Sequence, residues 1–449
     1  MTVIPRFVIA LSTLVVLTAS CLSAVHAAPN VVIIYADDLG WGELGCQGNP
    51  EIPTPHIDSI AANGLRCTQG YVAATYCSPS RAGLLSGRYP TRFGHETNED
   101  FDTSGFIQET TLASRLKELG YATACVGKWH LGDSPERRPT ARGFDEFYGT
   151  LGNTTYFHPR RFIDSRKSQD VVSFDDDSFY TTDAYADRAV EWLEARGEKP
   201  WFLYLPFNAQ HGALQAPQKY LDRFPKIADT KRRTFAAVLA AMDDAVGRVL
   251  ATVRKLGQEE NTIVFFISDN GGPTRGTTSS NRPLRGFKMT TFEGGPRVPF
   301  LVQWKGRIPA GKTYDLPVMN LDVMPTIMVA AGRPIAEAAA ADGVDLIPFF
   351  TGASPGRPHE TMFWRFVDQW AVRSGDWKLV VAEGGSGAPE LYDLANDIGE
   401  QNDLAASHPE RVAELRKLYA AWNAEQTPER PKQDREKPTR KRNTKRTST

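Results

Sequence analysis

Six short segments carry side chains that could do chemistry together. Asp37-Asp38 and Asp269-Asn270 each set two oxygen-bearing side chains next to one another. A hard cation such as Ca2+ or Mg2+ takes ligands of that kind, although Asp-Asp and Asp-Asn-Gly-Gly are also good turn formers. Cys77-Ser78-Pro79-Ser80-Arg81 places a thiol four residues before a guanidinium; on its own it also describes a cysteine near a turn. Gly127-Lys128-Trp129-His130-Leu131-Gly132 brackets an ammonium and an imidazole with glycines, Asn208-Ala209-Gln210-His211 adds a second imidazole, and Arg285-Gly286-Phe287-Lys288 a second ammonium. An imidazole titrates near the working pH and can give or take a proton. Taken singly, Lys-x-His is commonly a surface loop and a lone His commonly structural.

The elements that must position these residues recur in one pattern. Asn30–Tyr35 is a continuous apolar run, which reads as a buried strand, and it ends in Asp37-Asp38. Residues 121–126 read as a second strand leading to the Lys128 segment, 201–206 as a third leading to His211, and 262–267 as a fourth leading to Asp269-Asn270. Helical spacing falls between them, near 57–63, from Leu84 after a Pro79–Arg81 turn, and over 112–119, 184–196 and 234–256. Apolar strands alternating with helices predict an α/β fold with a large, mostly parallel sheet flanked by helices. Ligands in such sheets bind beyond the carboxyl ends of the strands, so four strand ends could converge on one pocket. Beyond an alanine-rich connector at 336–341, shorter strand-like pieces at 361–366, 369–373, 377–382 and 390–393, then a helix over 409–422, predict a small antiparallel sheet with one helix.

Composition sets limits. A chain of 449 residues suits one large domain and a smaller one. A formal net charge of −1 gives the whole molecule no case for binding nucleic acid. Arg6, the apolar run Phe7–Leu17 and the small residues ending at Val25-His26-Ala27 predict a signal peptide over 1–27 and a secreted or periplasmic protein. Cys21 leaves lipoprotein anchoring open as a minor alternative. No stretch of the sequence predicts a transmembrane span. The expected organisation is a leader over 1–27, a catalytic α/β domain over 28–335, a C-terminal α+β subdomain over 336–426 and a basic tail over 427–449.

The segment Cys77–Arg81 continues as Ala82-Gly83-Leu84-Leu85-Ser86-Gly87-Arg88. Together these residues resemble the signature of the type I sulfatases of the alkaline phosphatase superfamily. Gly127–Gly132 is similar to that family's Gly-Lys-x-His-Leu-Gly. Leu284–Lys288, followed by Phe292-Glu293-Gly294-Gly295-Pro296-Arg297-Val298-Pro299, is similar to its Leu-Arg-Gly-x-Lys and Glu-Gly-Gly-x-Arg-Val-Pro. The resemblance runs from Asn30 to about Trp422. It implies an alkaline phosphatase-like fold and an arylsulfatase or N-acetylgalactosamine-6-sulfatase-like enzyme releasing inorganic sulfate from sulfated glycans or aryl sulfates.

The resemblance also implies roles. A maturation enzyme would oxidise Cys77 to formylglycine, whose hydrated aldehyde attacks sulfur with one hydroxyl and, through the other, expels sulfate from the resulting sulfated hemiacetal. A serine would leave a stable sulfate ester with no such exit. Asp37, Asp38, Asp269 and Asn270, with the side chain at 77, would hold Ca2+, or less readily Mg2+. Arg81, Lys128 and Lys288 would surround the sulfate, His130 would act as base in hemiacetal breakdown, and His211 would protonate the leaving alcohol. The usual His-x-Pro is replaced here by His211-Gly212-Ala213-Leu214, with Pro217 soon after. Glu293 and Arg297 would order their loop. With position 77 committed, Cys46, Cys67 and Cys125 allow at most one disulfide. Tyr156, His158, Arg160 and Arg161 within 153–164 either line a sugar pocket or cover a loop. A 6-sulfated N-acetylgalactosamine or galactose would be the substrate by overall similarity. Two other readings share the fold: a formylglycine phosphodiesterase or phosphonate hydrolase, and a glycan-binding protein without turnover.

Overall fold

The computed structural model describes residues 28–333, 341–382 and 387–428. The expected leader with Cys21, nearly all of the alanine-rich connector and the basic tail beyond 428 lie outside the described residues. In chain order the strands are β1 (Asn30–Ala36), β2 (Leu65–Cys67), β3 (Gly70–Tyr71), β4 (Ala122–Lys128), β5 (Glu146–Thr150), β6 (Phe162–Asp164), β7 (Trp201–Pro206), β8 (Thr262–Ser268), β9 (Phe300–Gln303), β10 (Lys312–Tyr314), β11 (Val318–Met319), β12 (Thr361–Phe366), β13 (Gln369–Ser374), β14 (Trp377–Val381) and β15 (Glu390–Asp393). The longer helices are α1 (Pro55–Ala62), α2 (Cys77–Ser86), α3 (Leu112–Glu118), α4 (Thr181–Glu194), α5 (Thr230–Lys255), α6 (Val323–Ala330) and α7 (Pro409–Ala424).

Nine strands form one sheet in the order β10-β2-β9-β8-β1-β7-β4-β5-β6. β5, β4, β7, β1 and β8 run parallel, while β6 and β9 join antiparallel at either side. The four strands that end in reactive residues are therefore consecutive neighbours, β4-β7-β1-β8. In-register pairing of β1 with β8 brings Ala36 opposite Ser268, so Asp37 and Asp269 leave the sheet side by side. From Val31 to Ala36 β1 is apolar because both faces are covered. Val32, Ile34 and Ala36 face the core shared with α4 and α5, and Val31, Ile33 and Tyr35 face the core shared with α2, α3 and α6.

Helix α2 differs from the expectation. Pro79 does not mark a turn before a helix; the helix begins at Cys77, with Pro79 in its first turn. A first-turn proline removes an N–H that has no intrahelical acceptor in any case, so the helix tolerates it. All ten residues of α2 are buried, and Gly87 closes it at φ 67°, a left-handed cap suited to glycine.

β12–β15 form the expected small antiparallel sheet. It packs with α7 in an apolar cluster that also contains Tyr71, Ala73, Tyr89, Met319 and Leu321 of the larger body. Phe363 stacks on Trp422 at 4.9 Å and Trp370 on Tyr419 at 4.1 Å. Cys46, Cys67, Cys77 and Cys125 are all free thiols. No helix among the described residues is long and apolar enough to cross a membrane.

Candidate active site

The ends of β1, β4, β7 and β8, the N-terminus of α2 and the 285–297 loop converge. Asp37, Asp38, Cys77 and Asp269 are buried and each offers a ligand atom, all within 4.8 Å of one another. Cys77 Sγ is 3.6 Å from Asp37 Oδ1 and 3.9 Å from Asp38 Oδ1. Lys288 Nζ lies 3.1 Å from that sulfur and 2.6 Å from Asp38 Oδ1. Lys128 Nζ donates to Asp37 Oδ2. Arg81 donates through Nε and Nη2 to Asp269 Oδ2, at 3.1 and 2.7 Å, and through Nη1 to the Lys128 carbonyl at 2.9 Å. Its guanidinium thus anchors a carboxylate and the end of β4 together.

The cluster could hold a cation. Three carboxylates share one desolvated spot. Burial opposes ionisation of Asp37, but Lys128, with His211, Arg81 and Lys288, outweighs it and holds the carboxyl well below its usual range. Burial, then the Asp37 charge, pushes Asp269 up to about 7. Carboxylates set this close together could hold a divalent ion, which would favour the ionised form of each. Asn270 supplies the complementary observation: its Nδ2 donates to Asp38 Oδ1 at 2.8 Å and to the Gly271 carbonyl, while its buried Oδ1 has no hydrogen-bond partner. Buried polar atoms are normally satisfied, so an oxygen left open in an acidic pocket suits a hard, oxygen-seeking ion.

Two imidazoles face the cluster. His211 Nδ1 is 2.5 Å from the Gly212 carbonyl, which only accepts, so Nδ1 carries the hydrogen and Nε2 is left toward Asp38 Oδ2 at 3.9 Å. The altered sequence after His211 is accommodated by Tyr156, whose hydroxyl donates to the Asn208 and His211 carbonyls at 3.1 and 3.0 Å, and by Gln215, which accepts from Tyr156 N–H. Burial lowers the His211 imidazole, partly offset by Asp37 and Asp38. Burial, followed by the Lys128 and Arg81 charges, holds His130 far below its ordinary range. Its buried Nδ1 has no hydrogen-bond partner, and the ring is held neutral. The His130 carbonyl accepts from Ser78 Oγ at 2.6 Å, tying the imidazole's backbone to the first turn of α2.

Every residue singled out from the sequence for catalysis or metal binding lies in this cluster or faces it. Glu293 and Arg297 pair at 3.1 Å within their loop. The 153–164 segment divides. Tyr156 is fully buried as a brace for the His211 loop, Arg161 pairs with Asp133, and His158 sits 2.9 Å from Asp177. Sequence reasoning gave no role to Tyr76, whose ring lies 5.2 Å from Lys288 Nζ, nor to Asn98, which accepts from Ser78 N–H at 2.9 Å. Tyr76 could have been suspected only from its place next to Cys77.

Comparison with known proteins follows the same lines. A family model described as Sulfatase matches residues 29–333, and one described as N-sulphoglucosamine sulphohydrolase, C-terminal, matches residues 287–421. The chain is 34% identical over 463 residues to arylsulfatase A of Homo sapiens, covering 88% of each protein. It is 30% identical over 464 residues to N-acetylgalactosamine-6-sulfatase of Canis lupus familiaris, covering 90% of this chain and 87% of that protein. The crystal structure of Ps i-CgsB in complex with k-i-k-neocarrahexaose aligns with a TM-score of 0.80 at 32% identity, covering 89% of this chain and 94% of that one.

Proposed function

The chain belongs to the sulfatase family and hydrolyses sulfate esters, and from that premise we propose that it acts on sulfated carbohydrates through a formylglycine made from Cys77 beside a bound Ca2+. The observation that supports this most is the seat of Cys77. Its sulfur lies at the carboxylate cluster and 3.1 Å from the Lys288 ammonium, where a reacting oxygen on the same Cβ would meet both. As a thiol the residue is a poor nucleophile, because burial pushes it up to about 12, against the pull of Lys288 and Lys128. Oxidised and hydrated, the side chain supplies a geminal diol, one hydroxyl to take the sulfuryl group and one to release it.

Asp37, Asp38, Asp269 and Asn270 would hold Ca2+, which when bound supplies a Lewis acid and a template for the sulfate oxygens. Lys128 and Lys288, which rest on carboxylates, would bind sulfate oxygens, with Lys288 nearer the leaving group. Arg81 fixes Asp269 and balances the cluster. His211 would deliver a proton from Nε2 to the departing alkoxide, and His130, neutral, would accept one from the remaining hydroxyl as sulfate leaves. Fixed donors aimed at developing charge commonly contribute most to such catalysis, about 2.7–4 kcal/mol each.

Cys77 is fully buried once folded, so the maturation enzyme would have to meet the unfolded chain. A leader over 1–27 would then deliver the protein to the periplasm or the medium. A relative named N-acetylgalactosamine-6-sulfatase and a neighbour solved with a neocarrahexaose support a sulfated carbohydrate as substrate, with 6-sulfated N-acetylgalactosamine or galactose the proposed sugars. Sulfate release from a panel of defined mono-sulfated sugars, with an aryl sulfate and a matched phosphodiester alongside, tests the proposal. It expects turnover of at least one hexosamine or galactose sulfate above the phosphodiester. Turnover of the phosphodiester alone would overturn it.

A further inference from the structure

Lys288 rides on a loop that the C-terminal sheet holds. The Met289 carbonyl accepts from Gln369 Nε2 of β13 at 3.0 Å, and Met289 N–H donates to the Thr75 carbonyl at 2.9 Å, two residues before Cys77. Met289 itself takes φ 70°, a left-handed conformation that a non-glycine residue keeps only when its surroundings impose it. At the near end of the loop, Arg285 Nη1 reaches Glu390 at 3.0 Å, the Tyr392 hydroxyl at 2.7 Å and the Glu400 carbonyl at 3.1 Å.

At the far end lies an ion array with no solvent access. Lys378 Nζ of β14 sits between Glu293 Oε1 at 2.8 Å and Glu400 Oε1 at 3.0 Å, all three side chains at 0% exposure. Glu400 Oε2 accepts the backbone N–H of Glu293 at 2.7 Å. Glu293 Oε2 accepts from the Tyr71 hydroxyl at 2.6 Å and from Arg297 Nη1 at 3.1 Å. The Tyr71 hydroxyl in turn accepts from Arg373 Nη1 of β13 at 2.5 Å. Burying so many charges costs several kcal/mol per ion before pairing. The pairing fixes geometry as well as charge. The fixed object here is the loop that carries the Lys288 ammonium to within 3.1 Å of Cys77 Sγ.

We propose that Gln369 and Lys378 of the small C-terminal sheet are positioning residues for Lys288, setting where its ammonium meets the sulfate and so coupling the second sheet to the reaction. The inference rests on Lys288 acting at the sulfate, and the test separates the two. In processed enzyme, Lys288→Ala, Gln369→Ala, Lys378→Met, Lys378→Arg and the double variant Lys288→Ala/Gln369→Ala are assayed on aryl sulfates of graded phenol acidity. Gln369→Ala removes one hydrogen bond to the loop and leaves the ion array intact. It should lower kcat roughly tenfold with little change in KM, since small misplacements of a catalytic group are costly, and steepen the dependence on leaving-group acidity as Lys288→Ala does. In the Lys288→Ala background it should cost nothing further. Lys378→Met should behave like Gln369→Ala where it folds, and Lys378→Arg should recover part of the loss. Equal losses from Gln369→Ala with and without Lys288, or unchanged leaving-group dependence, would overturn the proposal. If Lys288→Ala keeps full activity, the role of Lys288 itself falls first.

Discussion

Replacing His211 by alanine should damage the enzyme selectively. The ring is oriented by its 2.5 Å contact to the Gly212 carbonyl, which leaves Nε2 as the proton donor over the cluster, 3.9 Å from Asp38. A positioned general acid contributes typically about 10²–10⁴-fold. Its full contribution is needed when a sugar alkoxide departs and very little when an acidic nitrophenol does. His211→Ala should therefore lower kcat/KM for a sugar sulfate by about 10²–10⁴-fold, while turnover of 4-nitrophenyl sulfate falls far less. The acid must be protonated to act. Because burial lowers the imidazole, and Asp37 and Asp38 only partly restore it, wild-type turnover of sugar sulfates should decline as pH rises through the lower part of the histidine range. That decline should be missing for the nitrophenyl ester. Parallel steady-state assays of both substrates across pH read this directly. A uniform loss on the two esters would refute the assignment of His211 as acid.

Other outcomes follow from the same geometry. Stripping divalent ions with a chelator should abolish turnover and lower Tm, and restoring Ca2+ should recover both; a ligand at about 100 times its Kd stabilises by about 2.7 kcal/mol. Activity and Tm untouched by chelation would contradict the metal reading of Asp37, Asp38, Asp269 and Asn270. His359 lies 2.7 Å from the buried Asp322. Burial opposes its imidazolium, but the Asp322 carboxylate outweighs burial and raises it above its ordinary value. The pair's contribution is thus fully present below the unfolded-state pKa, near 6.5, and is lost as pH rises through the higher folded value. The Tm advantage of wild type over His359→Gln should be greatest at about pH 6 and shrink above it; a pH-independent difference would count against the ion pair.

The parts of the site that the sequence made legible are those announced by local pattern. Continuous apolar runs mark β1, β4, β7 and β8, since both faces of a central parallel strand are covered, and the polar residues after each run mark the pocket. Strand order was not legible. Nothing local states that β1 lies between β7 and β8, yet that order puts Asp37 beside Asp269. Pro79 misled because a proline that breaks a helix interior is tolerated in its first turn. Tyr156 fitted a sugar-facing aromatic by composition but is a buried brace, a distinction made by tertiary packing. Glu293 and Arg297 were readable as loop-ordering residues, whereas Lys378 and Glu400 join them only through the folding of a separate sheet.

The residue at 77 is proposed to work as a carbonyl and not as a thiol. Mass analysis of the peptide spanning position 77, from protein made together with a formylglycine-forming enzyme, with turnover of the same sample, tests it most directly. The account predicts an aldehyde at that position in proportion to specific activity, and no turnover from Cys77→Ala. Full turnover from protein whose residue 77 is entirely thiol would contradict it.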